Sequence, residues 1–286
     1  MFFMLREWTS ADTGALLRVP TGDDDKYSRG VVGLRTGSAA YPGAAVLGVE
    51  AAWRAGAGYV LYTGGARDAV LARRPETVAK PEAGRTRVGA WVIGSGTDAE
   101  HRDADERAAL QAILNGDAAV VVDAGALDLA ADGSAPMVLT PHAGEFARLR
   151  SGLGLEKIDL TAEDARIAAV TETASRIGAT VLLKGARTVI AGPDGEPIVV
   201  GNAPPWLSTA GTGDVLSGVI GALIAADPGR PLAESAAAAV WLHGQAAVRA
   251  SGAVSAASGE KRAAGHPIVA LDVAEALPGA IGELLR

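Results

Sequence analysis

Asn202-Ala203-Pro204-Pro205-Trp206-Leu207-Ser208-Thr209-Ala210-Gly211-Thr212-Gly213-Asp214 runs straight into an apolar helical segment beginning at Val215. Gly211 and Gly213 free the backbone to turn N–H groups toward one point. The helix behind them adds its own unpaired N–H groups and the positive end of its dipole. Gly211, Thr212 and Gly213 therefore make an anion hole. A carboxylate at its mouth would repel a bound phosphate, so Asp214 has two readings on the local pattern. It caps the helix, or it is a base that takes a hydroxyl proton beside a transferring phosphoryl group.

Outward from this segment, short β-branched runs alternate with helical stretches, the pattern of an α/β fold with a mainly parallel central sheet and helices on both faces. Strands are expected over 30–36, 58–62, 88–93, 118–123, 137–140, 180–184, 188–191 and 198–200. Helices are expected over 43–57, 99–115, 143–150, 162–177, 213–226, 231–251 and 269–285. Thr161 followed by Asp164 offers an N-cap signature, and Gly178 sits where a left-handed residue would end that helix. Gly192-Pro193-Asp194-Gly195 joins two β runs, which predicts an antiparallel hairpin at a sheet edge. Segments 64–87 and 251–266 read as irregular surface loops, with a functional lid as the alternative. No internal repeat, Walker A pattern or G-x-G-x-x-G after a strand occurs.

Two more segments bear chemistry-capable side chains. Thr140-Pro141-His142-Ala143-Gly144-Glu145-Phe146 follows a strand and opens a helix, so it lies at the C-terminal strand edge where open α/β sheets bind ligands. His142 and Glu145 then face one crevice, unless Thr140 and Glu145 serve the helix start and His142 is a plain loop residue. In Leu183-Lys184-Gly185-Ala186-Arg187-Thr188 an apolar strand ends in Lys, and Gly185 lets backbone approach a ligand. A solvated strand edge explains such a Lys equally well.

The 286 residues hold 26 Lys or Arg against 33 Asp or Glu, a net charge of −7 with no basic run, which argues against a nucleic-acid partner. Zero Cys excludes disulfides, thiolate nucleophiles and Cys-ligated metals. Arg6 and Glu7 interrupt the N-terminal apolar stretch before it reaches signal-peptide length, and no ~18-residue apolar run follows, so neither export nor a membrane span is expected. The natural location is the cytoplasm.

TPHAGE, LLKGART and AGTGD running into VLSGVIGALIA, in that order, resemble the ribokinase-like superfamily, and within it the ADP/ATP-dependent NAD(P)H-hydrate dehydratases. Lys26-Tyr27-Ser28-Arg29-Gly30 and Tyr41-Pro42-Gly43-Ala44-Ala45 are similar to the same family. The resemblance implies nucleotide-dependent dehydration of NADH-hydrate or NADPH-hydrate, a lyase activity in metabolite repair. Asp214 would be the catalytic base beside the anion hole. Lys184, Gly185, Ala186, Arg187, Thr188 and Gly213 would line ADP or ATP, with Mg²⁺ as the charge neutraliser. Ala44, Gly96, His142 and Asp214 would lie against the hydrated dinucleotide. The chain departs from the family pattern at Ala143, at Thr97-Asp98 and at Pro204-Pro205-Trp206. A ribokinase-like α/β domain is expected to fill 1–286, without the epimerase domain often fused in the family, to which a functional link is implied. The resemblance suggests a homotetramer, and the Ala-rich helix over 231–251 gives it a physical motive, since small side chains on several faces allow packing on two sides. The competing functions are a kinase for a small alcohol or vitamin precursor, of the hydroxymethylpyrimidine or hydroxyethylthiazole type, and a nucleotide-binding module without turnover.

Overall fold

A computed structural model describes residues 5–253 and 264–286. Its strands are β1 (Arg6–Glu7), β2 (Val31–Arg35), β3 (Tyr59–Tyr62), β4 (Val78–Ala79), β5 (Ala90–Ile93), β6 (Ala119–Val122), β7 (Met137–Leu139), β8 (Thr180–Leu183), β9 (Thr188–Ala191) and β10 (Ile198–Val200). Its helices are α1 (Ser10–Leu16), α2 (Pro42–Arg54), α3 (Arg67–Arg73), α4 (Ala104–Leu114), α5 (Ala143–Gly152), α6 (Glu163–Ile177), α7 (Thr212–Ala226), α8 (Leu232–Ser251) and α9 (Ala270–Leu284). The strands form one sheet in the order β1-β10-β9-β8-β7-β6-β5-β2-β3-β4. β2 to β8 pair in parallel, whereas β9 runs antiparallel to both β8 and β10.

Both faces of the sheet are covered, and the two-residue period of the strands decides which side chain goes where. Val121, Leu182 and Ile190 point into a core shared with α2, α7, α8 and α9. Their neighbours Val120, Val122, Val181, Leu183, Val189 and Ala191 point into a second core under α4, α5 and α6. In the first core glycine permits a close helix crossing. A Cβ on Gly218 of α7 would stand 2.3 Å from the carbonyl oxygen of Gly48 and 2.9 Å from the Ala51 Cβ, both on α2. This crossing holds the start of α7 against the helix that bears Ala44.

The expected strands are present, trimmed by a residue or two, and the expected parallel sheet with its antiparallel pair stands. The structure corrects several other expectations. The β9–β10 hairpin is not the sheet edge, because β1 pairs in parallel with β10, Arg6 opposite Ile198 and Glu7 opposite Val199. Two charged residues carry no strand signal of their own; the Arg6 and Trp8 N–H groups simply occupy the carbonyls of Pro197 and Val199, at 3.1 and 3.0 Å. Segment 64–87 is not an irregular loop, since it contains α3 and β4. It is ordered by Glu50, a fully buried carboxylate ringed by Arg54, Arg73 and Arg74, and by Trp53 Nε1 donating to Thr77 Oγ1 at 2.9 Å. Burial pushes the Glu50 carboxyl up, but hydrogen bonds from Arg74 and Arg54 outweigh it and hold the group below its usual range.

The expected helix over 99–115 starts only at Ala104, because the Asp103 carboxylate accepts from the Glu106 N–H at 2.7 Å and caps it there. Thr161 is not the N-cap of α6; Ala162 holds that place without a side-chain bond, while Gly178 does close the helix at φ 70°. A 3₁₀ segment over Ala124–Asp132, unmarked in the sequence, follows β6. Of the loop expected at 251–266, residues 254–263 lie outside the described residues. Among the described residues no helix is long and apolar enough to cross a membrane.

Candidate functional site

Because β2, β5, β6, β7 and β8 run parallel, their C-terminal ends lie along one edge. There the chain leaves them as Gly94-Ser95-Gly96, Asp123, Thr140-Pro141-His142 and Lys184. The start of α7 comes to the same place. Gly211, at φ 87°, is its N-cap, and no side-chain hydrogen bond closes the helix start. A Cβ on Gly211 would meet the Leu47 Cδ1 at 2.6 Å and would lie 3.8 Å from the Asp214 carboxylate. A Cβ on Gly213 would lie 3.4 Å from the Lys184 ammonium. The glycines of the predicted anion hole are thus a backbone cradle with Asp214 on one side and Lys184 on the other.

Asp214 is half-buried at the third position of α7. Burial, and after it the charge of Asp123, push its carboxyl up to about 6, against the opposing pull of Lys184. A carboxylate of that proton affinity is ionised near neutrality yet basic enough to accept a proton, which suits a general base better than a helix cap.

Asp123 was invisible to sequence reasoning, being the last residue of an apolar strand run. The residue is 2 % exposed, and its carboxylate takes four hydrogen bonds. Lys184 Nζ donates to Oδ1 at 2.9 Å and Thr140 Oγ1 to Oδ1 at 2.8 Å. Ser95 Oγ donates to Oδ2 at 3.0 Å and Ser217 Oγ to Oδ2 at 3.2 Å. His243 of α8 is the second such residue. Burial lowers its imidazole to about 4, so it is neutral, and its Nε2 has no hydrogen-bond partner among the described residues.

His142 is the N-cap of α5: its Nδ1 accepts from the Gly144 N–H at 3.0 Å, and Glu145 Oε2 accepts from the His142 N–H at 2.8 Å. The imidazole itself remains largely exposed, and Glu145 Oε2 stands 4.0 Å from Lys184 Nζ. Glu145 thus serves the helix start, as one of the two readings of this segment expected, whereas Thr140 is turned inward to Asp123. Ala44 and Gly96 meet directly, since a Cβ on Gly96 would fall 2.4 Å from that of Ala44. A cavity of about 760 Å³, lined by Tyr41, Thr97, Asp98, Glu145 and Arg148 among others, opens beside them.

Within 184–188 the residues diverge. Lys184 faces the cradle, whereas the Arg187 guanidinium is held by Glu163 at 2.7 Å and by Glu7. Arg166 donates to the Arg187 carbonyl at 2.9 Å, and a Cβ on Gly185 would collide with the Arg166 guanidinium at 2.4 Å. Thr188 Oγ1 donates to the Gly185 carbonyl at 3.2 Å, closing the turn around Ala186. Trp206 is tied by its indole N–H to the Ala264 carbonyl at 2.6 Å.

A family model described as NAD(P)H-hydrate dehydratase matches residues 32–263. The bifunctional NAD(P)H-hydrate repair enzyme Nnr of Mycobacterium tuberculosis is 46% identical over 236 residues, which cover 80% of this chain and 47% of that protein. The chain thus spans about half the length of the bifunctional relatives it resembles. The ADP-dependent (S)-NAD(P)H-hydrate dehydratase of Neisseria meningitidis is 38% identical over 241 residues, 79% of this chain and 78% of that one. In three dimensions the chain is similar to the ADP/ATP-dependent NAD(P)H-hydrate dehydratase of Bacillus subtilis, crystallised with ATP/Mg²⁺, at a TM-score of 0.80 and 27% identity, covering 98% of this chain and 99% of that one.

Proposed function

Because this chain belongs to the NAD(P)H-hydrate dehydratase family, we propose that it dehydrates NADH-hydrate or NADPH-hydrate to the normal dinucleotide, with ADP or ATP as phosphoryl donor. The observation that carries this reading is Asp214, raised to about 6 and set beside a glycine cradle faced by Lys184. Hydroxide is too poor a leaving group to depart from the hydrated ring at neutral pH. Asp214 takes the proton of the ring hydroxyl as its oxygen attacks the terminal phosphorus, and AMP or ADP leaves. The new C–O–P ester then breaks as the ring nitrogen lone pair pushes phosphate out, and loss of a ring proton restores the dihydropyridine. The backbone N–H groups of Gly211, Thr212 and Gly213 stabilise phosphoryl charge in both steps.

Lys184 stands where it would neutralise phosphate oxygens, and the turn 184–188 is where the rest of the nucleotide would rest. Ala44, Gly96 and His142 would face the hydrated dinucleotide. Mg²⁺, carried on the nucleotide phosphates, would supply further charge neutralisation when bound. Among the described residues no group of three or more His, Asp or Glu gathers to hold an ion, so the phosphates of the bound nucleotide would have to supply most of such a metal's ligands.

The test is the return of dihydronicotinamide absorbance when NADH-hydrate is incubated with either nucleotide and Mg²⁺. Phosphorylation of a pyrimidine or thiazole alcohol, with the hydrates ignored, would overturn the reading in favour of a kinase. The same assay reads the base. Asp214 must be ionised to accept a proton, so kcat should fall as pH drops through about 6; a rate flat down to pH ~4, the unperturbed carboxylate range, would remove Asp214 from that role.

We further place the reaction in the cytoplasm, in step with an epimerase that interconverts the hydrate epimers, and in a homotetramer. Ala236, Ala237, Ala238 and Ala239 of α8 are all fully buried within one chain, so those four side chains do not themselves supply the oligomer surface. Light scattering at micromolar concentration checks the assembly, and a mass near 28.8 kDa would overturn it.

A further inference from the structure

The proposed reaction uses Asp214, Lys184 and the glycine cradle, yet the most fully bonded polar group at this edge is none of these. Asp123 gathers donors from four separate elements: Ser95 just past β5, Thr140 just past β7, Lys184 just past β8, and Ser217 one turn along α7 from Asp214. A lysine side chain has four rotatable bonds, and beside the cradle it has two carboxylates to choose from. Asp123 holds it at 2.9 Å, while Glu145 stands off at 4.0 Å. Both oxygens of Asp123 are saturated by donors that can reach it in one arrangement, so that one carboxylate removes the freedom of four side chains. We propose that Asp123 is a positioning residue for phosphoryl transfer, docking the Lys184 ammonium over Gly213 and tying the start of α7 to the ends of β5, β7 and β8. This rests on the dehydratase reading above.

The placement has a second effect. Asp123 is a like charge beside Asp214 and helps to push its carboxyl up, whereas Lys184 pulls it down. The two therefore act on Asp214 in opposite directions. The titratable groups that face this floor are Asp214 on α7, Lys184 after β8, Glu145 on α5 with the exposed His142 capping it, and the buried neutral His243 on α8.

Asp123→Asn keeps the shape and removes the charge. Its kcat should fall about 10- to 100-fold, the scale of a misplaced catalytic group. The KM for ADP should not rise, because the variant gains net positive charge beside the phosphates. The acid limb of the pH–kcat profile should move below its wild-type position. Lys184→Gln, which leaves Asp123 charged and unpaired, should move that limb the opposite way, and it serves if Asp123→Asn does not fold. A merely structural role would lower the midpoint of thermal unfolding and leave the limb in place. An unmoved limb in the variants that fold, or a wild-type kcat in Asp123→Asn, overturns the proposal. Wild-type protein that turns over no hydrate would instead sink the dehydratase reading. The opposed shifts would then be read directly by NMR titration of the Asp214 carboxyl carbon, and their absence there would overturn the positioning role as well.

Discussion

Asp214→Asn should lower kcat about 10²- to 10⁴-fold, the range for losing a general base, while the folded protein becomes more stable above pH ~6. The two effects have one cause. The carboxyl is raised from 3.8 to about 6 in the folded chain, chiefly by burial and next by the charge of Asp123. Between those values the unfolded chain holds fewer protons than the folded one, so folding stability falls as pH rises through that window. Above the folded value the full cost of the ionised carboxylate is present, and it is absent below about pH 4. For a half-buried group, with solvent screening discounted, that cost is on the order of 2 kcal/mol. Asparagine has no charge to confine, so its advantage in urea unfolding should grow across the window and then level off. ADP binding should survive, since the cradle is backbone and a carboxylate near phosphates opposes binding. Equal turnover in Asp214→Asn, or a stability difference that is the same on both sides of the window, would contradict the role given to this residue.

Gly218→Val should be strongly disruptive although it lies away from the chemistry. The new Cβ would sit 2.3 Å from the Gly48 carbonyl oxygen and 2.9 Å from the Ala51 Cβ. The first of these is backbone in a neighbouring helix, so no side chain can swing aside. α2 and α7 must separate, and overpacking of this kind costs about 3 kcal/mol. The same movement draws Ala44 on α2 away from Asp214 on α7, so turnover should fall further than stability alone explains. Thermal unfolding and kcat measured together check this; a variant with the wild-type midpoint would show that the crossing is looser than the geometry states. Gly48→Ala is the milder control, since a Cβ there would meet the flexible Leu34 Cδ2 at 3.2 Å.

Much of this protein was readable from the chain alone because its signals are local. Alternation of β-branched runs with amphipathic or Ala-rich stretches gave away the parallel sheet with helices on both faces. Gly178 marked a helix end through its own φ preference. Gly211 and Gly213 before an apolar helix announced a backbone cradle, and wording such as TPHAGE and AGTGD pointed to the family. Backbone conformation and residue order are properties that neighbouring residues decide among themselves. What only the tertiary structure decided depends on residues far apart in sequence. Asp123 is one apolar strand's last residue until Ser95, Thr140, Lys184 and Ser217 converge on it. Segment 64–87 looks irregular until Glu50 draws Arg73 and Arg74 onto it. β1 is a two-residue charged stretch until β10 offers it carbonyls. Nothing local to Arg187 tells that Glu7 and Glu163 pair with its guanidinium. In each case the deciding energy is a hydrogen bond or ion pair between groups that no sequence window contains, formed only when the parallel strands bring their C-terminal ends, or their outermost edge, into line.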